Sequence, residues 1–192
     1  MKTVLFGATG TIGRRIAAEL KARGHSVAEP KRDVLDDQSV AQAAQGAEVL
    51  LSAYGPGKGK AENVVRAAQA LVAGAKKAGV RRVQVVGGAG SLKVGAQDLV
   101  DSPQFPAAWR PIALAHREAL KVLRDCGLDW TFYSPAALIE PGIRTGSYRV
   151  GPSSLIRDAK GESRISTEDY AAAFVDEIEK PNFIGAVATV AY

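Results

Sequence analysis

Short apolar runs alternate along this chain with longer stretches whose apolar residues return every third or fourth position. Thr3 to Phe6 is the first run and reads as a buried strand, and Thr11 to Arg23 has helical spacing and stops at Gly24. Ser26 to Ala28 predicts a brief second strand. Asp36 is placed to cap a helix from Asp37 to Gln45, with Gly46 as its stop signal. Val49 to Ala53 predicts a strand, Lys60 to Ala78 a long helix ended by Gly79, and Arg82 to Val86 another strand. Pro111 to Cys126 predicts a helix ended by Gly127, Trp130 to Tyr133 a strand, and Ala186 to Val190 a last strand. Before that strand, Ser166 with Asp169 makes a capping-box pattern opening a helix to Glu179. Strand and helix take turns, as they do in βαβ units around a mostly parallel sheet. The expectation is an α/β fold, doubly wound, in one domain over residues 1–192.

Two departures from that rhythm stand out. Residues 87–110 and 134–164 both follow strand ends on the carboxyl edge of the sheet, where open α/β sheets bind ligands. Loops of this length are usually functional, so both are expected on the substrate side. The opposite departure follows the second strand. Only Glu29-Pro30-Lys31-Arg32 separates Ala28 from Asp33, where a doubly wound sheet normally spends a helix and a further strand. Either the sheet has dropped that excursion or the region is incomplete.

Composition narrows the function. With 192 residues, 46% of them hydrophobic, the chain is long enough to bury a large core. The one cysteine, Cys126, allows neither an internal disulfide nor a cysteine-based metal site. His25 and His116 are far apart, so no metal is expected. The apolar run at the N-terminus, Val4 to Phe6, is too short for a signal peptide, and no run reaches membrane-span length. A reducing cytoplasm is the expected compartment, with no membrane partner. The net charge is +5, yet the basic residues are scattered and not gathered into an aromatic-laced stripe. A phosphate-bearing small molecule therefore fits better than nucleic acid.

Gly7-Ala8-Thr9-Gly10-Thr11-Ile12-Gly13 carries the chemistry. It follows a strand and opens a helix, with the spacing G-x-x-G-x-x-G, a variant of the dinucleotide fingerprint. Gly7 suits the tight turn out of the strand, Gly10 a close backbone approach to a pyrophosphate, and Gly13 close packing of helix on sheet. Free N–H groups and a partial positive charge at the helix start complement the phosphates. The fold expectation becomes Rossmann-like.

With that motif in place, MKTVLFGATGTIG, DVLDD, VVGGAGSL, GLDWTFYSPA and SRISTEDYA together resemble the atypical short-chain dehydrogenase/reductase superfamily. Within it, the chain is most similar to the small NAD(P)H-binding, flavin-reductase-like branch that includes biliverdin reductase B. The resemblance spans nearly the whole chain and implies a nicotinamide cofactor and hydride transfer. It places Gly7, Thr9, Gly10, Thr11, Ile12 and Gly13 on the pyrophosphate, and Asp33 and Val34 beside the adenine. Ser52, Ala53 and Tyr54 would lie under the adenosine ribose and toward the nicotinamide. Gly87 and Gly88 stand where many relatives carry a catalytic serine, and Ser134, Pro135 and Ala136 on the carboxamide side.

The chain also departs from the superfamily. Its catalytic pair, Tyr-x-x-x-Lys on one helix face, has no counterpart except Tyr54 and Lys58, and Gly55-Pro56-Gly57 between them forbid an ordinary helix. That match is read as coincidence. Without such a base, alcohol dehydrogenation is disfavoured, whereas an electron-poor ring takes hydride and draws its proton from water. The expected activity is NAD(P)H-dependent reduction of a flavin, quinone or similar planar acceptor, with flavin as substrate and not as tightly bound cofactor. The alternative is a non-catalytic NAD(P)-binding redox sensor. His116 is on the stripe Ile112, His116, Ala119, Leu123 and is either a satisfied core histidine or a polar group of the catalytic pocket. Trp109 either covers a core edge or stacks on a planar substrate. Arg110 and Arg144 either bind a substrate phosphate or carboxylate or, by default, are solvated surface, and Cys126 reads as simply packed. For the cofactor, Glu29 has the offset that favours NAD, while Lys31 and Arg32 suit the 2′-phosphate of NADP. A bidentate arginine with a neighbouring lysine outweighs one mobile carboxylate, so NADP(H) is expected over NAD(H), with Arg32 as the reader.

Overall fold

The computed structural model describes residues 1–57 and 60–192. In chain order the elements are β1 (Lys2–Phe6), α1 (Thr11–Ala22), β2 (Ser26–Ala28), α2 (Asp37–Ala44), β3 (Val49–Ser52), α3 (Asn63–Ala78) and β4 (Arg82–Val86). A small hairpin, β5 (Lys93–Val94) and β6 (Gln97–Asp98), precedes α4 (Arg110–Arg124) and β7 (Asp129–Pro135). Then come β8 (Leu138–Glu140), β9 (Arg149–Gly151), β10 (Arg164–Ser166), α5 (Thr167–Glu179) and β11 (Ala186–Ala191). The main sheet has the order β2-β1-β3-β4-β7-β11-β9, parallel except for β9, which pairs antiparallel with β11.

The sheet is covered on both sides, as its apolar strands require. Val4 and Phe6 of β1 point to the face carrying α2, α3 and α4, joined there by Leu50, Val83 and Phe132. Leu5 points to the other face, with Leu51, Tyr133 and the buried sides of α1 and α5. The one-residue alternation of strand side chains decides this split.

The short segment after β2 has a definite structure. Residues 29–36 carry the chain from β2 straight into α2, and β2 is an edge strand bonded to β1. The excursion is dropped. The next strand, β3, pairs on the opposite side of β1, so connections diverge between β1 and β3. That reversal opens a crevice at the carboxyl ends of these strands.

The two long loops are more ordered than their sequences suggest. The first contains the β5–β6 hairpin; the second contains β8 and β10, which form a parallel pair, and the edge strand β9. Strands this short, flanked by exposed polar residues, leave no periodic signal. Several bounds also shift: α3 begins at Asn63 and not Lys60, and β7 runs on to Pro135, taking in Ser134.

Candidate functional site

The turn between β1 and α1 is built on three glycines with different reasons for being there. Gly7 has φ +79°, and a Cβ on it would fall 2.6 Å from the carbonyl carbon and oxygen of Ala53. A Cβ on Gly13 would meet the Gly7 carbonyl oxygen at 2.0 Å, because the helix rests directly on the turn. Both are obligatory for the fold. Gly10 is not. Its backbone is ordinary extended chain (φ −71°, ψ 169°), it is exposed, and the nearest obstacle to a Cβ is the Gly7 oxygen at 3.3 Å. The space a side chain would fill there is left open to a ligand.

The helix start is equally available. Asp36 caps α2 through Gln38 and Ser39 N–H, and Ser166 caps α5 through Asp169 N–H, but Gly10 offers α1 no side chain. The N–H groups of the first turn, at Thr11, Ile12 and Gly13, have no intrahelical partner. Uncapped amides, a positive helix end and a cradle without a Cβ suit a pyrophosphate. Thr9 and Thr11 are exposed at its rim, while Ile12 packs into the core below.

The residues expected beside the adenosine follow the direct β2–α2 crossing. Val34 is buried against the α2–α3 face, and Asp33 Oδ1 accepts from Leu35 N–H (2.8 Å), which fixes the bend into α2. Glu29 is paired with Lys21 at 2.5 Å. Arg32 is exposed, and its Nη1 donates to Gln42 Oε1 at 2.6 Å. Glu29 is thus engaged by a cation, whereas Arg32 is held by a neutral amide.

The residues expected along the floor turn out to differ in access. Ser52 is 2% exposed, its Oγ taken by Tyr54 N–H at 3.2 Å; Ser134 is fully buried, donating to the Gly88 carbonyl at 3.3 Å. Pro135 and Ala136 are buried as well, so these residues shape the floor from within. Ala53 and Tyr54 keep partial exposure at the β3 end. Gly87 has a packing reason, since a Cβ would press within 2.4 Å of the Phe132 ring. A Cβ on Gly88 would meet His116 Cγ at 3.0 Å, so the imidazole is seated against that backbone.

His116 lines a small cavity enclosed by α3, α4 and the sheet face of β3, β4 and β7, beside Ser52, Tyr54 and Phe132. Its ring meets Phe132 edge-on at 6.2 Å, and its Nδ1 is buried without a hydrogen-bond partner. It is therefore not a satisfied core histidine. Burial pushes its pKa down to about 4. Near neutral pH the ring is uncharged, so it offers a neutral N–H or a lone pair and not an imidazolium proton. Tyr54 is outside any helix, and Lys58 lies outside the described residues.

Trp109 is 65% exposed at the start of α4, so it does not cover a core edge. Arg110, read as solvated, instead clamps the first loop, donating to the carbonyls of Val100 (2.6 Å), Ser102 (3.2 Å) and Phe105 (3.4 Å). Arg144 pairs with Glu19 of α1 through Nη2 at 2.7 Å. Cys126 is buried, as expected. The capping box is half realised. Ser166 caps α5, but the Asp169 carboxylate turns away to Thr145, Gly146 and Tyr192. Among the described residues no cluster of ligating side chains could hold a metal, and no helix is long and apolar enough to cross a membrane.

The sequence pattern of the NAD(P)H-binding family matches residues 30–181 of this chain. A Burkholderia pseudomallei protein of known structure, named as an exported protein, is 53% identical, with TM-score 0.95 and full coverage of both chains. A Streptococcus pneumoniae structure named as an NADH-flavin reductase is 29% identical, with TM-score 0.87 over 100% of this chain and 99% of its own. The uncharacterized Bacillus subtilis protein YwnB is 39% identical over 199 residues, covering 94% of this chain and 93% of YwnB.

Proposed function

The chain belongs to the NAD(P)H-binding family of atypical short-chain dehydrogenase/reductases, and on that premise we propose that it reduces a flavin, quinone or similar planar acceptor with NADPH. The observation that carries the reading is Gly10, a glycine that neither backbone conformation nor packing requires, set at an uncapped helix start. The reduced nicotinamide supplies a hydride. The protein's part is to bind and orient: the α1 amides take the pyrophosphate, and Tyr54, Gly88 and His116 border the cleft toward the reacting ring. A neutral His116 donates a hydrogen bond to an acceptor atom but yields no proton, so water protonates the reduced product. An electron-poor ring tolerates this, because positioning supplies most of the catalysis. Arg32 favours NADPH over NADH, and exposed Trp109 offers a stacking face for the acceptor.

The same lack of a proton donor favours one other reading, a cofactor sensor without turnover. Incubation with NADPH and flavin mononucleotide or a panel of quinones separates the two. Loss of reduced-nicotinamide absorbance faster than in a protein-free blank supports the reductase; tight NADPH binding without turnover supports the sensor. The compartment we favour is the cytoplasm, from the single thiol, whereas the name of the Burkholderia relative points outward; cell fractionation decides it.

A further inference from the structure

The helix of the glycine-rich turn is tied to a distant part of the chain through one carboxylate. Arg15, one turn into α1, donates from Nε to Glu168 Oε1 at 3.0 Å and from Nη1 to the Thr11 carbonyl at 3.2 Å. The other oxygen, Glu168 Oε2, accepts from Gly142 N–H at 2.8 Å and from the Thr167 hydroxyl at 3.0 Å. Glu168 is in the first turn of α5, so it touches the helix facing the pyrophosphate and also the segment leaving β8.

That segment, residues 141–147, is exposed throughout, and its one large apolar side chain, Ile143, is 78% exposed. Polar contacts alone fix it. Ser166 Oγ donates to the Ile143 carbonyl (2.9 Å), Asp169 accepts from Thr145 Oγ1 (2.6 Å) and Gly146 N–H (2.8 Å), and Glu19 of α1 takes Arg144. Of these anchors in the Ser166–Asp169 stretch, Glu168 is the one that also grips α1.

We propose that Glu168 is a positioning residue of the cofactor site. Through Arg15 it fixes the first turn of α1, and through Gly142 it binds residues 141–147 to the same unit, so the pyrophosphate amides are preorganised before the dinucleotide arrives. Preorganised donors lose less freedom on binding, and affinity rises accordingly. The proposal rests on the reading of this turn as a dinucleotide site.

The test uses the full chain with Glu168→Ala, Glu168→Gln and Asp169→Asn. Two readouts are taken: NADPH affinity by fluorescence titration, and amide hydrogen exchange at residues 11–15 and 142–146 without cofactor. Glu168→Ala is expected to weaken NADPH binding by about fivefold or more and to speed exchange in both segments. Glu168→Gln has one accepting oxygen where the carboxylate uses two, so it keeps the Arg15 link or the Gly142 link but not both, and its NADPH affinity is expected between those of Glu168→Ala and the wild type. Asp169→Asn speeds exchange near residues 145–146 while NADPH affinity stays at the wild-type value. If Glu168→Ala does not fold, Arg15→Gln severs the same link from the α1 side and must show the same loss. Faster exchange with unchanged affinity means a purely structural contact and overturns the proposal. Unchanged exchange at residues 11–15 overturns it as well. If the wild type itself does not bind NADPH, the dinucleotide reading fails and takes this proposal with it.

Discussion

Replacing Gly10 and Gly13 separately distinguishes a glycine kept for a ligand from one kept for the fold. In Gly10→Val the backbone is already extended, and the new Cβ need yield only a few tenths of an ångström against the Gly7 oxygen, 3.3 Å away. Stability should change by no more than about 1 kcal/mol. The isopropyl group would then occupy the approach to the α1 amides, and NADPH affinity should fall at least about tenfold, or ~1.4 kcal/mol. In Gly13→Ala the Cβ would be 2.0 Å from the Gly7 oxygen and 2.7 Å from its carbonyl carbon. These are backbone atoms that cannot swing aside, so α1 must shift off the turn. The gain in helix propensity, about 1 kcal/mol, does not offset an overpacking cost of roughly 1–3 kcal/mol or more. Thermal unfolding with and without NADPH reads both effects. A ligand at about 100 times its Kd stabilises the folded state by ~2.7 kcal/mol, so the wild-type melting temperature rises clearly on addition. Gly10→Val should melt near the wild type without NADPH and gain almost nothing with it; Gly13→Ala should melt lower under both conditions. A Gly10→Val protein that gains the full NADPH shift, or that melts as low as Gly13→Ala, refutes the division of roles.

Arg32→Ala should weaken NADPH binding several-fold and leave NADH unchanged at low salt; an equal loss for both cofactors would remove Arg32 from the 2′-phosphate. Because burial lowers the His116 pKa from 6.5 to about 4, the folded state resists protonation there. Its contribution to stability is complete above pH 6.5 and is lost as pH falls toward 4, by up to ~3 kcal/mol. His116→Ala should flatten the stability profile in that window, and wild-type turnover should show no break near pH 6–7; a break there that vanishes in the variant would restore an acid role. Burial works against the Asp169 charge, but hydrogen bonds from Thr145, Gly146 and Tyr192 overcome it and leave its pKa below the usual 3.8. Its stabilisation is present above that value and lost as pH drops through the depressed one. Asp169→Asn should cost about 1–3 kcal/mol at neutral pH, measured by urea unfolding, with the difference from wild type shrinking in acid.

Much of this protein is legible without coordinates because its signals are local. Glycine stops, the Asp36 and Ser166 caps and the switch between strand and helix periods depend on neighbours a few residues apart. They place the α/β alternation, the strand-turn-helix order of residues 3–23 and the uncapped start of α1. The glycine pattern alone, however, gives Gly7, Gly10 and Gly13 equal weight. Only the approach of Ala53 and of the turn's own carbonyl separates the two that the fold requires from the one it does not.

The other decisions depend on residues far apart in the chain. The direct crossing from β2 to α2 replaces the missing excursion because β3 finds its place on the other side of β1, a pairing no local pattern specifies. The β8–β10 pair joins segments some 26 residues apart through only three residues each, too few to show a period. His116 falls on a core-facing stripe, yet its missing partner emerges only when Gly88 and Phe132 close around the ring. Glu168 and Asp169 are ordinary acidic residues for a first helical turn, where they complement the dipole. Their second task, holding Arg15 and residues 142–146, exists only once α1 and α5 lie side by side on one face of the sheet. Periodicity encodes which face is buried; what that face is buried against is settled by chain closure over long distances.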